Sequence, residues 1–485
     1  PFLCTFCDQG LDASKITTFS VSRLAEEMEY VGKKLSKLKK GTKVISIFDS
    51  NWGLLEKDVK FADRILEVME KYDWPQYIVC LAPKSNWNNL LKINDKLKNR
   101  VSLALSMQSL SVATLTDIKR RNWTTKQYID YIKEVQKRGK SAVSEVIIPL
   151  PSETEDSYFS GLELLLNNNV QVRTHTLMML CGTELGRDKA INDFSMKSKY
   201  RVIPRQFGDY FGKKIFEIDK VCISTNTMTY QNYLNCRNFS FILQLVGHPI
   251  FVPIFKLTKQ LGINWYKFVR TLTDFIQDKN TKGKFKDLYN SFCKESKNEL
   301  FDSEKELINL YSKAKNYKSL VKGEVGENLL GKYTAKGVLI YDDVFNSIFH
   351  TIRKNFRETS NNKEEFDLIL HSSEKWLKNL YIVREIFKDK KEIQKNKVRL
   401  NIDFDFPNWL ENHHLPFNKF KNESEYELNF DQKKVNYLKS QMFEQWPILR
   451  SKSGGNKERA FNKYIMQNMQ SIDVHMLEKR FEKVS

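Results

Sequence analysis

The first half of the chain alternates between short apolar runs and amphipathic segments of helical period. Apolar runs of four to eight residues are typical of buried strands, and the intervening segments predict helices. Strands are predicted at 44–48, 77–81, 101–107, 144–148 and 172–178. Because strands that alternate with helices usually pair in parallel, the pattern predicts an α/β fold with a parallel sheet.

The second half has a different pattern. From about residue 241 the apolar spacing is mainly helical. Alternation of apolar and polar residues at 399–404 and 426–430 predicts two strands that pair with each other, and the tail after 457 is predicted to be a loosely packed helix. We therefore divide the chain into a β-α part at 1–200, a barrel-closing extension at 201–240 and a mostly helical domain at 241–485.

Composition restricts the partners more than the fold. The 485 residues carry 79 Lys and Arg against 59 Asp and Glu, a net charge of +20. The lysines are spread along the sequence, so a compositional bias explains them better than a nucleic-acid surface. Five of the seven cysteines are isolated, which favours a reducing cytoplasm over a disulfide framework. The apolar segment 239–255 is shorter than the roughly 20 residues of a membrane span, so a buried segment is expected.

Two cysteines near the start could share one metal centre. Cys4 and Cys7 are separated by two residues, a spacing at which thiolates can converge on a metal. A single C-x-x-C is compatible with zinc, a redox dithiol or an iron–sulfur cluster. The sequence has no second C-x-x-C and no H-x3-H, which argues against a four-ligand zinc site.

Polar residues follow the predicted strands. In parallel β-α barrels the carboxyl ends of the strands meet at one mouth, where active sites lie. Glu145 lies early in the fourth predicted strand, and the residues after the first three strands are Asp49, Asn51, Lys84, Gln108 and Ser109. A single polar residue after a strand more often caps the backbone than binds a ligand. The order of these residues behind a cysteine pair is the feature that indicates a binding site.

This series resembles the radical S-adenosylmethionine (SAM) superfamily, and within it the group whose barrel follows a cobalamin-binding domain. The similarity covers about residues 1–240, in the stretches CTFCDQG, FDSNWG, LAPKSN, LSMQSLSVATLTDIKRRN, SEVIIPLPSET and LMMLCGTEL. The resemblance implies a partial (β/α)6 TIM-like barrel, followed here by a mainly helical C-terminal domain. It also implies a [4Fe–4S] cluster held by Cys4, Cys7 and a third cysteine immediately before Pro1. The sequence is therefore expected to be an N-terminally truncated fragment, inactive as given.

The resemblance also implies roles for the polar residues. Asp49 and Asn51 would contact the SAM amino group, and Gln108 the ribose or carboxylate. The expected cofactor-binding set also includes Ser109, Glu145 and the backbone that ends at Leu150, which would face the adenine. Pro149 and Ser152 stand where the family has glycines, and a proline cannot donate a backbone hydrogen bond. No D-x-H-x-x-G cobalamin pattern occurs in the sequence, so a cobalamin domain would lie upstream.

The function implied is that of a radical SAM enzyme. It would cleave SAM reductively to modify a small molecule, by methyl transfer or rearrangement, and would need an electron donor. The alternatives are an RNA-modifying enzyme of the same superfamily and a binding module that has lost catalysis. Neither the catalytic residues nor the oligomeric state is predicted. His175, in a predicted strand, is interpreted as a core histidine.

Overall fold

The computed structural model describes residues 3–8, 17–38, 43–49, 51–83, 86–120, 123–383, 398–429, 431–445 and 474–484. The chain divides into two compact units. The first comprises Pro1–Tyr200 and Ile218–Cys236, and the second Arg201–Glu217 and Arg237–Ser485. Lys84 lies outside the described residues.

The helices of the first unit are α1 (Val21–Leu35), α2 (Glu56–Tyr72), α3 (Trp87–Lys96), α4 (Val112–Asp117), α5 (Thr125–Lys137), α6 (Glu155–Asn167) and α7 (Asp188–Asp193). Its strands are β1 (Val44–Ile47), β2 (Tyr77–Cys80), β3 (Val143–Ile148) and β4 (Gln171–Thr176). Local capping explains two helix starts. The side chain of Ser20 accepts a hydrogen bond from the backbone N–H of Arg23, and Thr124 with Gln127 forms a capping box at α5.

The strands of the first unit pair as the alternating pattern predicts. β1 pairs with β2 in parallel, and β3 pairs with β4 in parallel. The predicted strand 101–107 does not form a ladder. Single parallel bridges join Val101, at its start, to Ile78, and Gln108, directly after it, to Val146. The Ser102 hydroxyl accepts from the Cys80 N–H and donates to the Cys80 carbonyl, both at 2.9 Å. A side chain thus takes the place of ladder hydrogen bonds at this point.

The two faces of the strands differ in burial. Along β3, Ser144, Val146 and Ile148 are buried, whereas Val143, Glu145 and Ile147 are only half-buried. Since successive side chains of a strand point to opposite faces, the buried set belongs to the core and the other set faces away from it. Glu145 is therefore on the less buried face of the sheet.

A hairpin follows α7. Strand β5 (Lys197–Tyr210) pairs with β6 (Lys213–Ser224), and the residues 201–217 of this hairpin are counted with the second unit. At the base of β6, Val221 forms an antiparallel bridge with Met178. The chain therefore leaves the first unit after Tyr200 and returns to it at Ile218, within β6.

Helix α8 (Tyr230–Val246) continues from the first unit into the second. The other described helices of the second unit are α9 (Val252–Gln260), α10 (Trp265–Gln277), α11 (Lys284–Asn298), α12 (Glu304–Ser312), α13 (Ala314–Lys322), α14 (Leu329–Leu339), α15 (Tyr341–Phe356), α16 (Lys363–Leu380), α17 (Phe406–Glu411) and α18 (Gln432–Gln445). Among the described residues no single helix is long and apolar enough to cross a membrane. One bent pair of helical segments, Tyr230–Val246 and Pro249–Gln260, has the length and composition of a membrane span, and this is judged by length and composition only.

The second unit also contains a three-stranded sheet. β7 (Val398–Phe404) pairs antiparallel with β8 (Lys421–Asn429), which confirms the predicted pairing. The prediction of a helical tail is wrong for β9 (Arg480–Val484), which pairs antiparallel with β8, whereas Val474–Leu477 form a 3-10 helix. The rest of the predicted tail, 458–473, lies outside the described residues. Phe481 explains the strand, since its ring lies 5.2 Å from that of Trp376, centroid to centroid, on α16.

Candidate functional site

Cys4 and Cys7 lie in one turn that is fixed on both sides. The backbone N–H of Cys7 donates to the Cys4 carbonyl at 3.1 Å. Between them, the Thr5 N–H donates to the Ile118 carbonyl at 3.1 Å, and the Thr5 carbonyl accepts from the Leu185 N–H at 2.9 Å. Cys4 is buried and Cys7 is half-buried. The turn therefore holds two thiols in fixed positions, as a pair of metal ligands requires.

Arg120, which the sequence did not single out, contacts this turn. Its guanidinium Nη1 lies 3.9 Å from Cys4 Sγ, and its Nη2 donates to the Ser106 carbonyl. The residue is only 7% exposed. Burial lowers the pKa of Arg120, and the charges of Cys4, Cys7 and Glu145 oppose that effect. The buried guanidinium thus contacts the Cys4 sulfur and the Ser106 carbonyl, and the Ser106 hydroxyl in turn donates to Glu145 of β3.

The end of α4 explains why this arginine points inward. After the last helical residues, Lys119 adopts a left-handed φ of 50°, which reverses the backbone. The Lys119 ammonium then pairs with the exposed Glu184 carboxylate at 2.7 Å, while Arg120 is buried. The sequence shows only a run of three cations, Lys119 to Arg121, and does not indicate which of them is inside.

Two predicted SAM contacts have buried side-chain oxygens that lack a hydrogen-bond partner. These are Asn51 Oδ1, in the turn that follows β1, and Gln108 Oε1. The Gln108 backbone is fixed against β3, donating to Glu145 at 2.8 Å and accepting from Ile147 at 2.9 Å. An unpaired buried oxygen costs about 1–3 kcal/mol, so both positions favour a ligand that supplies a donor.

Asp49 contributes to the same turn as Asn51. Its Oδ1 accepts from the Asn51 backbone N–H at 2.8 Å. This hydrogen bond fixes the turn and leaves the Asn51 side chain available for other contacts.

Glu145 is held by residues of two neighbouring segments. Its Oε1 lies 3.7 Å from His175 Nε2 and 4.0 Å from Arg173 Nη1, and its Oε2 accepts from the Ser106 hydroxyl at 2.8 Å. His175 first, then Ser106, lower the pKa of Glu145 to about 2 against its partial burial. The His175 side chain is 52% exposed, so its interpretation as a core histidine is wrong. It is on the less buried face because β4 is in register with β3, placing it opposite Ile147.

Ser109 and Leu150 do not join this group through their side chains. The Ser109 hydroxyl donates to the buried carboxylate of Glu153. Leu150 is fully buried in an apolar cluster with Ile118, Leu177, Met179, Leu185, Ala190, Met196 and Cys222. Phe6, from the cysteine turn, packs against this cluster, so the apolar cluster that contains Leu150 stabilises the position of the turn.

Within the part of the chain that the structure describes, no three His, Cys, Asp or Glu side chains are grouped so as to hold a metal ion. The candidate metal ligands are therefore the two thiols of Cys4 and Cys7. Arg120 connects Cys4 to Ser106, and both Ser106 and the Gln108 backbone are hydrogen-bonded to Glu145 of β3. Asp49 and Asn51 lie in the turn after β1.

Comparison with known proteins finds sequence similarity to two curated methyltransferases. It is 23% identical over 287 residues to the cobalamin-dependent radical SAM methyltransferase TokK of Streptomyces tokunonensis, covering 57% of this chain and 41% of that protein. It is 22% identical over 254 residues to the 2-(S-pantetheinyl)-carbapenam-3-carboxylate methyltransferase of Streptantibioticus cattleyicolor, covering 51% and 36%. The chain is related to the cobalamin-associated radical SAM enzymes. This confirms the resemblance given by the sequence motifs.

The extent of the relationship is limited. The chain spans about two fifths of the length of these two curated relatives. No protein-family model matches it.

Among solved structures, the radical SAM methyltransferase TsrM of Kitasatospora setae, with cobalamin and a [4Fe–4S] cluster bound, matches with a TM-score of 0.34 and 11% identity over 40% of this chain and 37% of that one. The cobalamin-dependent SAM radical enzyme OxsB matches with a TM-score of 0.39 and 11% identity over 77% and 56%. TM-scores in this range do not establish a shared fold.

Proposed function

We propose that this chain is the cluster- and SAM-binding part of a radical SAM enzyme that modifies a small molecule, with methyl transfer as the reaction. The observation that carries the proposal is the turn that fixes Cys4 and Cys7 together, with the buried Arg120 guanidinium 3.9 Å from Cys4 Sγ. The curated relatives, which are methyltransferases by name, support the reaction class. In this proposal the parallel strands of the first unit form part of a (β/α)6 barrel.

The residues present fit two ligands of a [4Fe–4S] cluster. Thiolates are the usual ligands of such clusters, and Cys4 and Cys7 are fixed in one turn beside a buried guanidinium. The third ligand would be the cysteine that the family pattern has immediately before Pro1. When bound, the cluster supplies the electron for reductive cleavage of SAM.

The other residues would bind and orient SAM. The unpaired oxygens of Asn51 and Gln108 can accept hydrogen bonds from its amino and hydroxyl groups. With its pKa near 2, Glu145 is a carboxylate at neutral pH and can accept from ribose hydroxyls. The backbone that ends at Leu150 is assigned to the adenine. Ser109 is not among the proposed SAM-binding residues, because its hydroxyl donates a hydrogen bond to the Glu153 carboxylate.

The remaining partners follow from the same proposal. A small-molecule substrate and an external electron donor are required. Cobalamin would be bound by a part of the protein outside this sequence, since the D-x-H-x-x-G pattern does not occur in it.

The test uses the protein extended to include the expected cysteine. After anaerobic loading with iron and sulfide, it should show the absorbance of a [4Fe–4S] cluster and convert SAM to 5′-deoxyadenosine under a low-potential reductant. Cys4→Ala and Cys7→Ala should abolish both signals, because each removes a cluster ligand. Cys293→Ala, a half-buried cysteine of α11, is the matched control and should change neither. Cluster loading without any 5′-deoxyadenosine would favour the binding module that has lost catalysis.

A further inference from the structure

We propose that Arg120 is a positioning residue for the Cys4 sulfur, and that its N–H···S contact raises the reduction potential of the cluster that the proposed function assigns to Cys4 and Cys7. The inference rests on that proposed function and adds to it a determinant of the electron-transfer step.

The guanidinium is oriented by a second contact. Its Nη2 donates to the Ser106 carbonyl while Nη1 faces Cys4 Sγ at 3.9 Å. Because a guanidinium is a planar fork of five donors in fixed geometry, a hydrogen bond from one nitrogen sets the direction of the other. The Ser106 carbonyl therefore aims Arg120 at the Cys4 sulfur.

The same backbone segment holds both partners of the contact. The Thr5 N–H, next to Cys4, donates to the carbonyl of Ile118. Two residues after Ile118, the Arg120 N–H donates to the Leu115 carbonyl at 2.9 Å and closes the turn at the end of α4 in which Lys119 is left-handed. Donor and sulfur are thus tied to one turn, so their separation is set by the fold.

The direction of the effect follows from electrostatics. Reduction adds an electron to the cluster, and a buried cation stabilises the more negative state more strongly. Hydrogen bonds to ligand sulfur act in the same direction and are among the main determinants of cluster potential. Burial strengthens both effects, because Arg120 is in a poorly screened environment.

The experiment compares loaded variants of the extended protein. Wild type, Arg120→Gln, Arg120→Lys and Lys119→Gln are titrated with dithionite, and the reduced cluster is followed by electron paramagnetic resonance. At the wild-type midpoint potential, Arg120→Gln should lower the ratio of reduced to oxidised cluster by about tenfold, or about 59 mV for a one-electron couple. Arg120→Lys should lower it less, since the charge remains but one ammonium cannot keep both contacts. Lys119→Gln, which changes the adjacent exposed cation, should match wild type.

The outcomes separate this inference from the proposed function. If wild type binds no cluster, the proposed function fails and this inference fails with it. If wild type binds a cluster and Arg120→Gln has the wild-type midpoint, the inference alone is overturned and Arg120 serves only packing. If Arg120→Gln does not take up a cluster, the lysine variant decides: a lowered midpoint supports the inference, and an unchanged one overturns it.

Discussion

The contact between Glu145 and His175 can be tested through the pH dependence of stability. Replacing Glu145 with Gln keeps the size of the side chain and a hydrogen bond to the Ser106 hydroxyl, but removes the negative charge. That charge is stabilised in the fold by His175 and then by Ser106, which lower the pKa of Glu145 from 4.5 to about 2. The variant therefore isolates the electrostatic contribution of one carboxylate.

The size of the effect follows from the change in pKa. At about 1.4 kcal/mol per pKa unit, the difference between 4.5 and about 2 corresponds to roughly 3 kcal/mol. The Glu145 side chain is 33% exposed, so solvent screening reduces this to about 1–2 kcal/mol. Because the folded-state pKa is the lower one, this stability is fully present above pH 4.5 and is lost as the pH falls towards 2.

The assay is urea unfolding of wild type and Glu145→Gln at a series of pH values, followed by tryptophan fluorescence. The difference in unfolding free energy should be about 1–2 kcal/mol near pH 5.5 and should shrink towards zero near pH 2. Glu163→Gln, an exposed glutamate of α6, is the matched control and should show little difference at any pH. A difference for Glu145→Gln that does not change with pH would refute the electrostatic explanation.

Three further substitutions separate binding from stability. Gln108→Ala should weaken SAM binding about tenfold in a titration, because one hydrogen bond of about 0.5–1.5 kcal/mol is lost, with cluster absorbance intact; unchanged affinity would remove Gln108 from the site. Ser109→Ala should instead leave SAM affinity unchanged and lower the unfolding free energy by about 1–3 kcal/mol, since buried Glu153 loses a donor. Leu150→Ala should cost about 2.7–5 kcal/mol and speed hydrogen exchange in the cysteine turn, because Phe6 packs on the same cluster. Leu150→Met, its volume-conserving control, should cost less than about 1.5 kcal/mol.

The sequence predicts the parts of the fold that local patterning determines. The alternation of apolar runs with helical segments gives the parallel pairs β1–β2 and β3–β4. It overestimates the strand at 101–107, where the Ser102 hydroxyl replaces backbone hydrogen bonds. It also misses β9, whose strand depends on a distant contact between Phe481 and Trp376.

The site was predictable only in part. The family resemblance singles out Cys4, Cys7 and Gln108; the structure holds the two cysteines in one turn and hydrogen-bonds the Gln108 backbone to β3. Arg120 could not be identified, because its burial depends on the left-handed Lys119 and not on its own residue type. For Ser109, a position next to Gln108 does not fix which way the side chain points, and its hydroxyl donates to Glu153.

The interrupted course of the chain through the first unit has a consequence for its biosynthesis. The chain leaves that unit after Tyr200 and returns to it at Ile218, and the part of β6 after Ile218 supplies Cys222 to the apolar cluster around Leu150. A nascent chain that ends at residue 200 therefore lacks part of its own core, and the apolar surface under the cysteine turn stays uncovered until β6 has left the ribosome. Because domains generally fold as units during synthesis, the cysteine turn is expected to reach its folded position only after translation of residue 236, long after Cys4 and Cys7 themselves are made.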